Sequence, residues 1–292
     1  MMKKLTVIAL ALFFATPVLA EEVDRTLDAA ADGNVEISNI AGSVTVEGWN
    51  RDQVHVTGTL GRNVEELIFE RDGDRINIKV KVPKRGGSGI SSELHVSVPR
   101  KSSIDVAVVS ADIDVTVVEG DQKLEAVSGD INTEAFESDI RAGTVSGDVM
   151  VKGSGKDNET RSTSVSGDVT LYGLAGEVSA ESVSGDVNVD GGSFGRAQFN
   201  TVNGDIEFDA ELRKDGKLSA ETVNGDVDLQ FEGKIYGRFD VDTFNGDIRN
   251  CFGPKPERTS KYAPGQELSF QEGDGDARIN VSTMNGDISI CR

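Results

Sequence analysis

The sequence predicts an all-β fold, a parallel β-solenoid whose coils contain about 19 residues each. Three observations lead to this prediction. A pentapeptide recurs eight times, apolar residues alternate with polar ones on both sides of it, and two cysteines occupy equivalent places in the repeat. Together they indicate the repeat length, the strands within a coil and the coils that are neighbours at one end.

Residues 1–20 are typical of an export signal. Lys3 and Lys4 precede an apolar run over residues 5–15, and residues 16–20 end in short side chains at the expected cleavage position. The alternative is a membrane anchor, but about a dozen apolar residues are too few to cross a hydrocarbon core of ~30 Å. We expect a mature chain that starts at Glu21 and has no lipid anchor there, because no Cys occupies that position.

The composition restricts the classes of function. The chain carries 30 Lys and Arg against 50 Asp and Glu, a net charge of -20, and removal of residues 1–20 takes away two Lys and makes it -22. Nucleic acids and anionic membrane surfaces need clustered basic residues, so neither is expected as a partner. No later apolar stretch is long enough for an integral membrane protein. With 37% hydrophobic but only 5% aromatic residues, the core is expected to consist of Val, Ile, Leu and Ala.

Residues 21–100 are predicted to form an irregular β cap that is continuous with the solenoid and covers its first open edge. The repeat pattern fits once, around Gly42, and strands at 53–56, 67–70 and 76–82 then interrupt it. The segment Asp72-Gly73-Asp74 between two alternating stretches is typical of a hairpin turn. Residues 83–92 are expected to form a loop, and residues 93–98 a further strand.

The repeat occupies residues 101–292. The eight central glycines are separated by 18, 18, 20, 18, 19, 21 and 21 residues and then by a step of 40. They are Gly129, Gly147, Gly167, Gly185, Gly204, Gly225, Gly246 and Gly286. A ninth copy has Ala111 in place of the Gly.

Strands are indicated on both sides of each central glycine. If that Gly is position 0, apolar or small residues recur at positions -7, -5, -3, +2 and +4, which is the period of two expected of strands. Each unit therefore has two short strands joined at a Ser/Asn-Gly-Asp corner, where Gly adopts a backbone conformation that other residues resist. Such strands cannot bury their apolar face alone, so the units must stack in parallel. The general rule for parallel crossovers favours right-handed winding.

The two cysteines predict a clasp at the end of the stack. Cys251 and Cys291 each follow a central glycine by five residues. Equivalent residues on adjacent parallel coils lie ~4.8 Å apart, which suits a disulfide if the coils are neighbours. An exported protein meets an oxidising compartment, so the bond would form and pin the last coil. The step of 40 residues then reflects an insertion within about residues 252–276; two unrelated thiols are the alternative.

Three segments carry a family resemblance: the repeated Val-Ser/Asn-Gly-Asp-Val/Ile units, residues 39–49 (Asn-Ile-Ala-Gly-Ser-Val-Thr-Val-Glu-Gly-Trp) and residues 94–99 (Leu-His-Val-Ser-Val-Pro). With them, residues from about 30 to 292 resemble the bacterial "putative adhesin" family of β-strand repeat proteins of unknown function. The resemblance implies an exported β-solenoid in the cell envelope. It supplies no catalytic residues.

A column of aspartates is the first candidate site, because stacked corners would align one carboxylate per coil. Ca²⁺ or another cation is one interpretation, since Ca²⁺ takes six to eight oxygen ligands. The favoured alternative is structural: each Asp accepts hydrogen bonds from amides of the turn. The column consists of Asp130, Asp148, Asp168, Asp186, Asp205, Asp226, Asp247 and Asp287.

The insertion is the second candidate site. Lys255, Arg258, Lys261 and Tyr262 offer cations and an aromatic ring in an otherwise acidic chain, which suits an anionic glycan or a partner protein. The favoured alternative is a loop that only covers the terminal coil.

Together these features predict a non-enzymatic, exported structural or adhesin-like binding scaffold, with an unidentified envelope protein or glycan as its partner. The periplasm is the favoured location; the cell surface and secretion are alternatives. No metal site, cofactor or catalytic residue is predicted, apart from the Ca²⁺ interpretation of the Asp column. The alternative function is a carbohydrate-active enzyme, which two non-repeated carboxylates in one groove would favour.

Overall fold

The computed structural model describes residues 21–84, 88–260 and 264–292. These residues form 22 β-strands and contain no helix, so the all-β prediction is confirmed. Residues 1–20, predicted to be an export signal, lie outside the described residues, and so do Lys261 and Tyr262 of the predicted binding loop.

The strands fall into three groups along the chain. The N-terminal group is β1 Glu21–Asp28, β2 Asn34–Trp49, β3 Gln53–Leu60, β4 Glu66–Asp72, β5 Arg75–Lys81 and β6 Ser92–Pro99. The middle group is β7 Ser103–Thr116, β8 Gln122–Ser128, β9 Ile131–Ala135, β10 Ile140–Ser146, β11 Val149–Gly153, β12 Asp157–Ser166, β13 Val169–Glu181, β14 Val187–Asn200, β15 Ile206–Asn224 and β16 Val227–Phe231. The C-terminal group is β17 Gly237–Asn245, β18 Ile248–Asn250, β19 Glu257–Arg258, β20 Gln266–Glu272, β21 Ala277–Asn285 and β22 Ile288–Cys291.

The repeat units stack in two parallel ladders. The first ladder contains the strand that precedes each corner, and the second contains the strand that follows it. Pairing joins equivalent positions: Thr144 lies opposite Ala126 and Ser164, and Val149 lies opposite Ile131. Strands β13, β14 and β15 each run from the second ladder of one unit into the first ladder of the next. Each unit is named below after its central residue.

The corner glycines are required by close contact between units. A Cβ atom on Gly204 would lie 2.1 Å from the carbonyl oxygen of Gly185, and one on Gly225 would lie 1.9 Å from that of Gly204. No side chain fits at such a distance. Backbone conformation, the reason predicted from the sequence, applies only to Gly129, Gly147 and Gly167, whose φ angles are 150–156°. Contact with the adjacent unit applies to all eight corner glycines, and it becomes visible only after stacking.

The core lies between the two ladders and changes in composition along the stack. In the middle units it contains Val, Ile, Leu and Ala, as predicted. Towards the C-terminal end, phenylalanines contact one another from Phe194 to Phe270. The largest fully buried side chains are all of this type: Phe194, Phe199, Phe208, Phe231 and Phe239. The expectation of a wholly aliphatic core is therefore wrong for this end, since most of the few aromatic residues are concentrated there.

At the C-terminal end, the order of units in the stack differs from their order in the sequence. Strand β21 pairs with β15 on one side and β17 on the other, and β22 pairs likewise with β16 and β18. The Gly286 unit therefore lies between the Gly225 and Gly246 units. The expectation that the last unit in sequence is also the last in the stack is wrong, because the insertion carries the chain past the Gly246 unit and back.

Beyond the Gly246 unit, β20 pairs antiparallel with β17, and β19 pairs with β20. The N-terminal end has a comparable exchange of order, because β2 lies between β7 on one side and β5 and β6 on the other. The predicted hairpin joins β4 to β5, which are antiparallel. Strands β1 and β3 extend the second ladder beyond β6, also antiparallel.

Candidate functional site

The aspartate column forms a continuous hydrogen-bonded ladder along the corners. In each unit except the outermost, the Asp Oδ1 accepts a hydrogen bond from the backbone N–H of the Asp in the next unit, at 2.7–3.0 Å. In stack order the members are Asp112, Asp130, Asp148, Asp168, Asp186, Asp205, Asp226, Asp287 and Asp247. These charge-assisted bonds offset the repulsion between neighbouring carboxylates.

Except in Asp247, one oxygen of each carboxylate therefore already accepts a hydrogen bond from the adjacent unit. Among the described residues, no group of three or more His, Cys, Asp or Glu is arranged to hold a metal ion. Cation binding by the column stays a prediction.

A column of buried hydroxyl groups at position -3, where the sequence indicates only apolar or small residues, supports the same corners. Thr201 Oγ1 donates to the carbonyl oxygen of Gly185 at 3.0 Å, and Thr222 Oγ1 donates to that of Gly204 at 3.1 Å. Thr144, Ser164, Ser182, Thr243 and Thr283 make the equivalent bond. Strands tolerate Thr and Ser among apolar residues, so only the observed pairing identifies their role.

Gln266 on β20 completes the ladder at the outermost unit. Its side-chain amide donates to Asp247 Oδ1, and its Oε1 accepts a hydrogen bond from the backbone N–H of Ile248 at 2.9 Å. Within the stack, the peptide groups of the next unit make these two bonds. A carboxamide has the same donor and acceptor as a peptide group, so one side chain replaces the missing unit.

The predicted disulfide is present. Cys251 and Cys291 are bonded, with their Cα atoms 4.9 Å apart, close to the predicted strand spacing. The bond joins the Gly246 unit to the Gly286 unit, the two adjacent units that are separated by 40 residues in the sequence.

The insertion lines a cavity of about 510 Å³ beside the outermost unit. Lys255, one of the predicted binding residues, lies in its wall, whereas Arg258 lies on β19 outside that wall. The carboxylates in the wall are those of Asp240, Asp242, Glu257 and Glu267. Glu257 and Glu267 belong to the insertion and have no counterpart in the other units, so non-repeated carboxylates do share one concave site.

The two aspartates of this cavity differ in electrostatic environment. Arg238 lowers the pKa of Asp240 by hydrogen bonding to it at 2.7 Å, and Ser269 adds a second hydrogen bond at 2.7 Å. Among the residues that the structure describes, no such donor contacts Asp242. Desolvation raises its pKa, and the nearby carboxylates of Glu221 and Glu267 raise it further. At neutral pH the cavity therefore holds one stabilised carboxylate and one that is less favourably ionised.

A further exposed feature, not predicted from the sequence, is an apolar column. Of the eleven large hydrophobic residues that are exposed in the described part of the chain, nine occupy position -2 of successive units. In stack order the apolar column is Val109, Val127, Val145, Val165, Val183, Val202, Val223, Met284 and Phe244. The signal was available, because position -2 has the same outward parity as positions -4 and -6 and yet is apolar in every unit.

The two histidines of the chain lie on β3 and β6. His55 Nε2 is 2.8 Å from Asp24 Oδ1, and His95 is exposed. The described part of the chain has no helix with the length and hydrophobicity needed to cross a membrane.

The comparisons with known proteins place residues 33–291 in one family, since that segment matches the family model described as Toastrack DUF4097. No curated protein matches the chain. The chain is similar to a crystal structure from Parabacteroides distasonis titled "Putative lipid binding protein", with 15% identity, 93% of this chain and 97% of that chain covered, and a TM-score of 0.44. A "putative adhesin" from Bacteroides fragilis has 11% identity, coverage of 92% and 96%, and a TM-score of 0.38. A "putative cell adhesion protein" from Clostridium sporogenes has 10% identity, coverage of 94% and 99%, and a TM-score of 0.34.

Proposed function

The chain belongs to the Toastrack DUF4097 family, and from that premise we propose that it is a non-enzymatic binding scaffold of the bacterial cell envelope. One observation carries the proposal: around the corners the stacked units keep a single register, so that each column presents the same kind of side chain at intervals of ~4.8 Å. A rigid, one-dimensional array of this kind suits repeated contacts with an extended partner.

The two ladders belong to one right-handed β-solenoid. Support comes from the parallel pairing of equivalent positions in successive units and from the right-handedness of parallel crossovers in general. The exchanged order of units at both ends modifies this solenoid without ending its ladders, since every exchanged unit still pairs in parallel with its neighbours.

Export to the periplasm follows from the predicted signal segment and is compatible with the disulfide. A bond between Cys251 and Cys291 persists in an oxidising compartment and would be reduced in the cytosol. The partner is an envelope protein or glycan.

Crosslinking in intact envelopes tests location and binding together. Cells are fractionated after treatment with a membrane-permeant crosslinker, and the N-terminus of the recovered protein is sequenced. We expect recovery from the periplasmic or surface fraction, an N-terminus at Glu21, and the same crosslinked species in repeated preparations. Recovery of uncleaved protein from the cytoplasm would contradict the proposal.

A carbohydrate-active enzyme is the second candidate function, and the cavity at the insertion favours it. A pair of carboxylates whose pKa values are displaced in opposite directions is the arrangement used by general-acid catalysts, and Asp240 and Asp242 form such a pair. It stays second because Asp240 is already engaged by Arg238 and Ser269. The test is reducing-end release from acidic polysaccharides: turnover that Asp242→Asn abolishes, while the protein remains folded, would favour the enzyme over the scaffold.

A further inference from the structure

Building on the proposed scaffold function, we propose that the apolar column is a docking surface for a basic amphipathic helix of a partner protein, and that its main contact is the segment Val223–Met284–Phe244. The column is one residue wide and, with nine members one unit apart, roughly 38 Å long.

A preference for β-branched residues in strands does not explain the column. Position -4 lies on the same outward face of the same strands, and there the units carry Glu125, Gly143, Thr163, Glu181 and Asn200. If β-branched side chains were needed for strand formation, position -4 would show them in every unit, whereas only Thr163 is β-branched there. At Met284 and Phe244 the apolar character is kept although the branching is lost. The property shared by all residues at position -2 is therefore an exposed apolar side chain. Exposed apolar patches of this kind mark interaction sites.

Met284 and Phe244, at the C-terminal end, are the most exposed members of the column. Exposure is 37% for Val223, 54% for Met284 and 64% for Phe244, against 39–49% for the other valines of the column. Met284 and Phe244 are 40 residues apart in sequence, and they are neighbours only because the Gly286 unit lies between the Gly225 and Gly246 units. The exchange of order thus places the two largest side chains of the column together.

These side chains are held on a rigid base. The residue that precedes each of them, Thr222, Thr283 or Thr243, is buried and donates a hydrogen bond to a corner carbonyl of the adjacent unit. A preorganised surface loses little conformational entropy on binding, which favours affinity from a small contact area.

Acidic residues flank this segment in the sequence on both sides. Asp226, Asp287 and Asp247 lie at position +1, and Glu221 and Asp242 lie at position -4. The partner therefore needs large apolar side chains flanked by Lys or Arg. A second copy of this chain would bring two acidic columns together, and an anionic membrane would be repelled, so the charge favours a basic partner.

The spacing favours a helix as the docking element. Helical turns repeat every 5.4 Å and unit spacing is ~4.8 Å, so three neighbouring contacts accumulate a mismatch of about 1.2 Å. Alternate residues of an extended strand repeat every ~6.7 Å, and the same three contacts would accumulate about 3.8 Å. A helix with one apolar stripe and basic flanks matches both the geometry and the charge.

The test uses the purified protein, with its disulfide formed, and defined synthetic peptides. The probe is an 18-residue Leu/Lys peptide whose leucines share one helical face. One control peptide has the same composition in an order that gives no apolar face, and another has Glu in place of Lys. Fluorescence anisotropy is measured for the native protein, for Phe244→Ser/Met284→Ser and for Tyr172→Ser, which removes an exposed aromatic residue outside the column.

We expect the amphipathic probe to bind, both control peptides to bind at least tenfold more weakly, and the double variant alone to lose the binding by tenfold or more. Equal binding of the amphipathic and reordered peptides, or no loss in the double variant, would mean attachment by charge only and would overturn the proposal. A dimer in sedimentation that disappears in the double variant would assign the column to a second copy and also overturn it. Neither result would affect the scaffold proposal, which envelope crosslinking tests separately.

Discussion

The middle of the stack and its C-terminal end are built from the same unit but are stabilised differently. From the Gly129 unit to the Gly225 unit, units follow one another in sequence and each packs on the next through Gly, Thr or Ser, and Asp. At the end, the Gly286 unit is inserted between two others, a disulfide joins it to the outermost unit, and Gln266 replaces a unit that is absent.

This difference shows which stabilising contacts a repeat provides and which further contacts an end unit requires. A middle unit has its backbone and side-chain groups satisfied by identical neighbours on both sides. An end unit has only one such neighbour, so its stability depends on non-repeated features: a covalent bond, a cap and phenylalanine packing. Those features also create the cavity and the most exposed part of the apolar column, so both candidate functional surfaces lie where the repeat ends.

Removal of the disulfide should give the largest effect and confine it to the end. In Cys251→Ser/Cys291→Ser the closed loop between residues 40 positions apart is lost, and loop-closure entropy alone predicts a loss of about 4 kcal/mol. Hydrogen exchange should show β17, β21 and β22 opening first while β8 to β14 keep their protection. Simultaneous loss of protection in both regions would contradict the distinction between middle and end.

The sequence predicted the middle better than the end for a physical reason. The period of two and the repeated Gly-Asp pair depend on local chain geometry and on identical neighbours, both of which can be read from one unit. The position of the Gly286 unit depends on the path of the insertion, and the role of Gln266 depends on its meeting Asp247 and Ile248 across strands. Neither leaves a periodic signal. The cysteines were the exception, because their equivalent places in the repeat indicated adjacency.

The candidate site was predicted only in part. The repeat marked the Asp column, but the amides that bond it become known only once the units are in register. The apolar column could have been predicted, because an apolar residue occupies position -2 of every unit and position -2 faces outward. Units that stack in a constant register leave such residues exposed in a line. Proximity of Met284 to Phe244 was beyond sequence analysis, because it requires the exchanged order.

A methyl group at a corner glycine should give the next largest effect and should act in the middle. In Gly204→Ala the new Cβ would lie 2.1 Å from the carbonyl oxygen of Gly185, so the two units must separate, at a cost of about 3 kcal/mol. Gly195→Ala is the matched control, because the nearest atom to its Cβ would be 3.8 Å away and the change should stay within about 0.5 kcal/mol. Chemical denaturation measures both; similar losses would mean that contact between units does not set the requirement for Gly.

Loss of one corner hydroxyl should have a smaller effect. Thr201→Val keeps the shape of the side chain but leaves the carbonyl oxygen of Gly185 without its hydroxyl donor, which should cost about 1–2 kcal/mol. Thr201→Ser keeps the donor and loses only a methyl group, so it should cost about 1 kcal/mol or less. Thermal denaturation of the two variants compares them directly. If the Ser variant were the less stable one, packing of the methyl group, and not the hydrogen bond, would be what holds adjacent corners together.

Substitution of the two aspartates of the cavity should give the smallest changes in Tm, and these changes should have opposite signs. They should also be the ones most specific to the C-terminal end. The ionised form of Asp240 is stabilised by Arg238 and Ser269, so its lowered pKa contributes stability at neutral pH that is lost only as the pH falls below the ordinary value of 3.8. Asp240→Asn should therefore lower the Tm at pH 7. The raised pKa of Asp242 means that its ionised form opposes folding, chiefly through desolvation.

Asp242→Asn should accordingly raise the Tm at pH 7, and this gain should disappear as the pH falls from neutral towards 3.8, because the wild-type carboxyl becomes protonated in the folded state above that value. The deficit of Asp240→Asn should persist down to 3.8 and vanish below it. Both side chains are partly exposed, so solvent screening should keep the changes in Tm of both Asp variants smaller than that of Thr201→Val. Scanning calorimetry from pH 3 to 7 separates the two profiles. Equal signs at pH 7 would show that the cap does not create two distinct environments, and the end would then differ from the middle only in its connectivity.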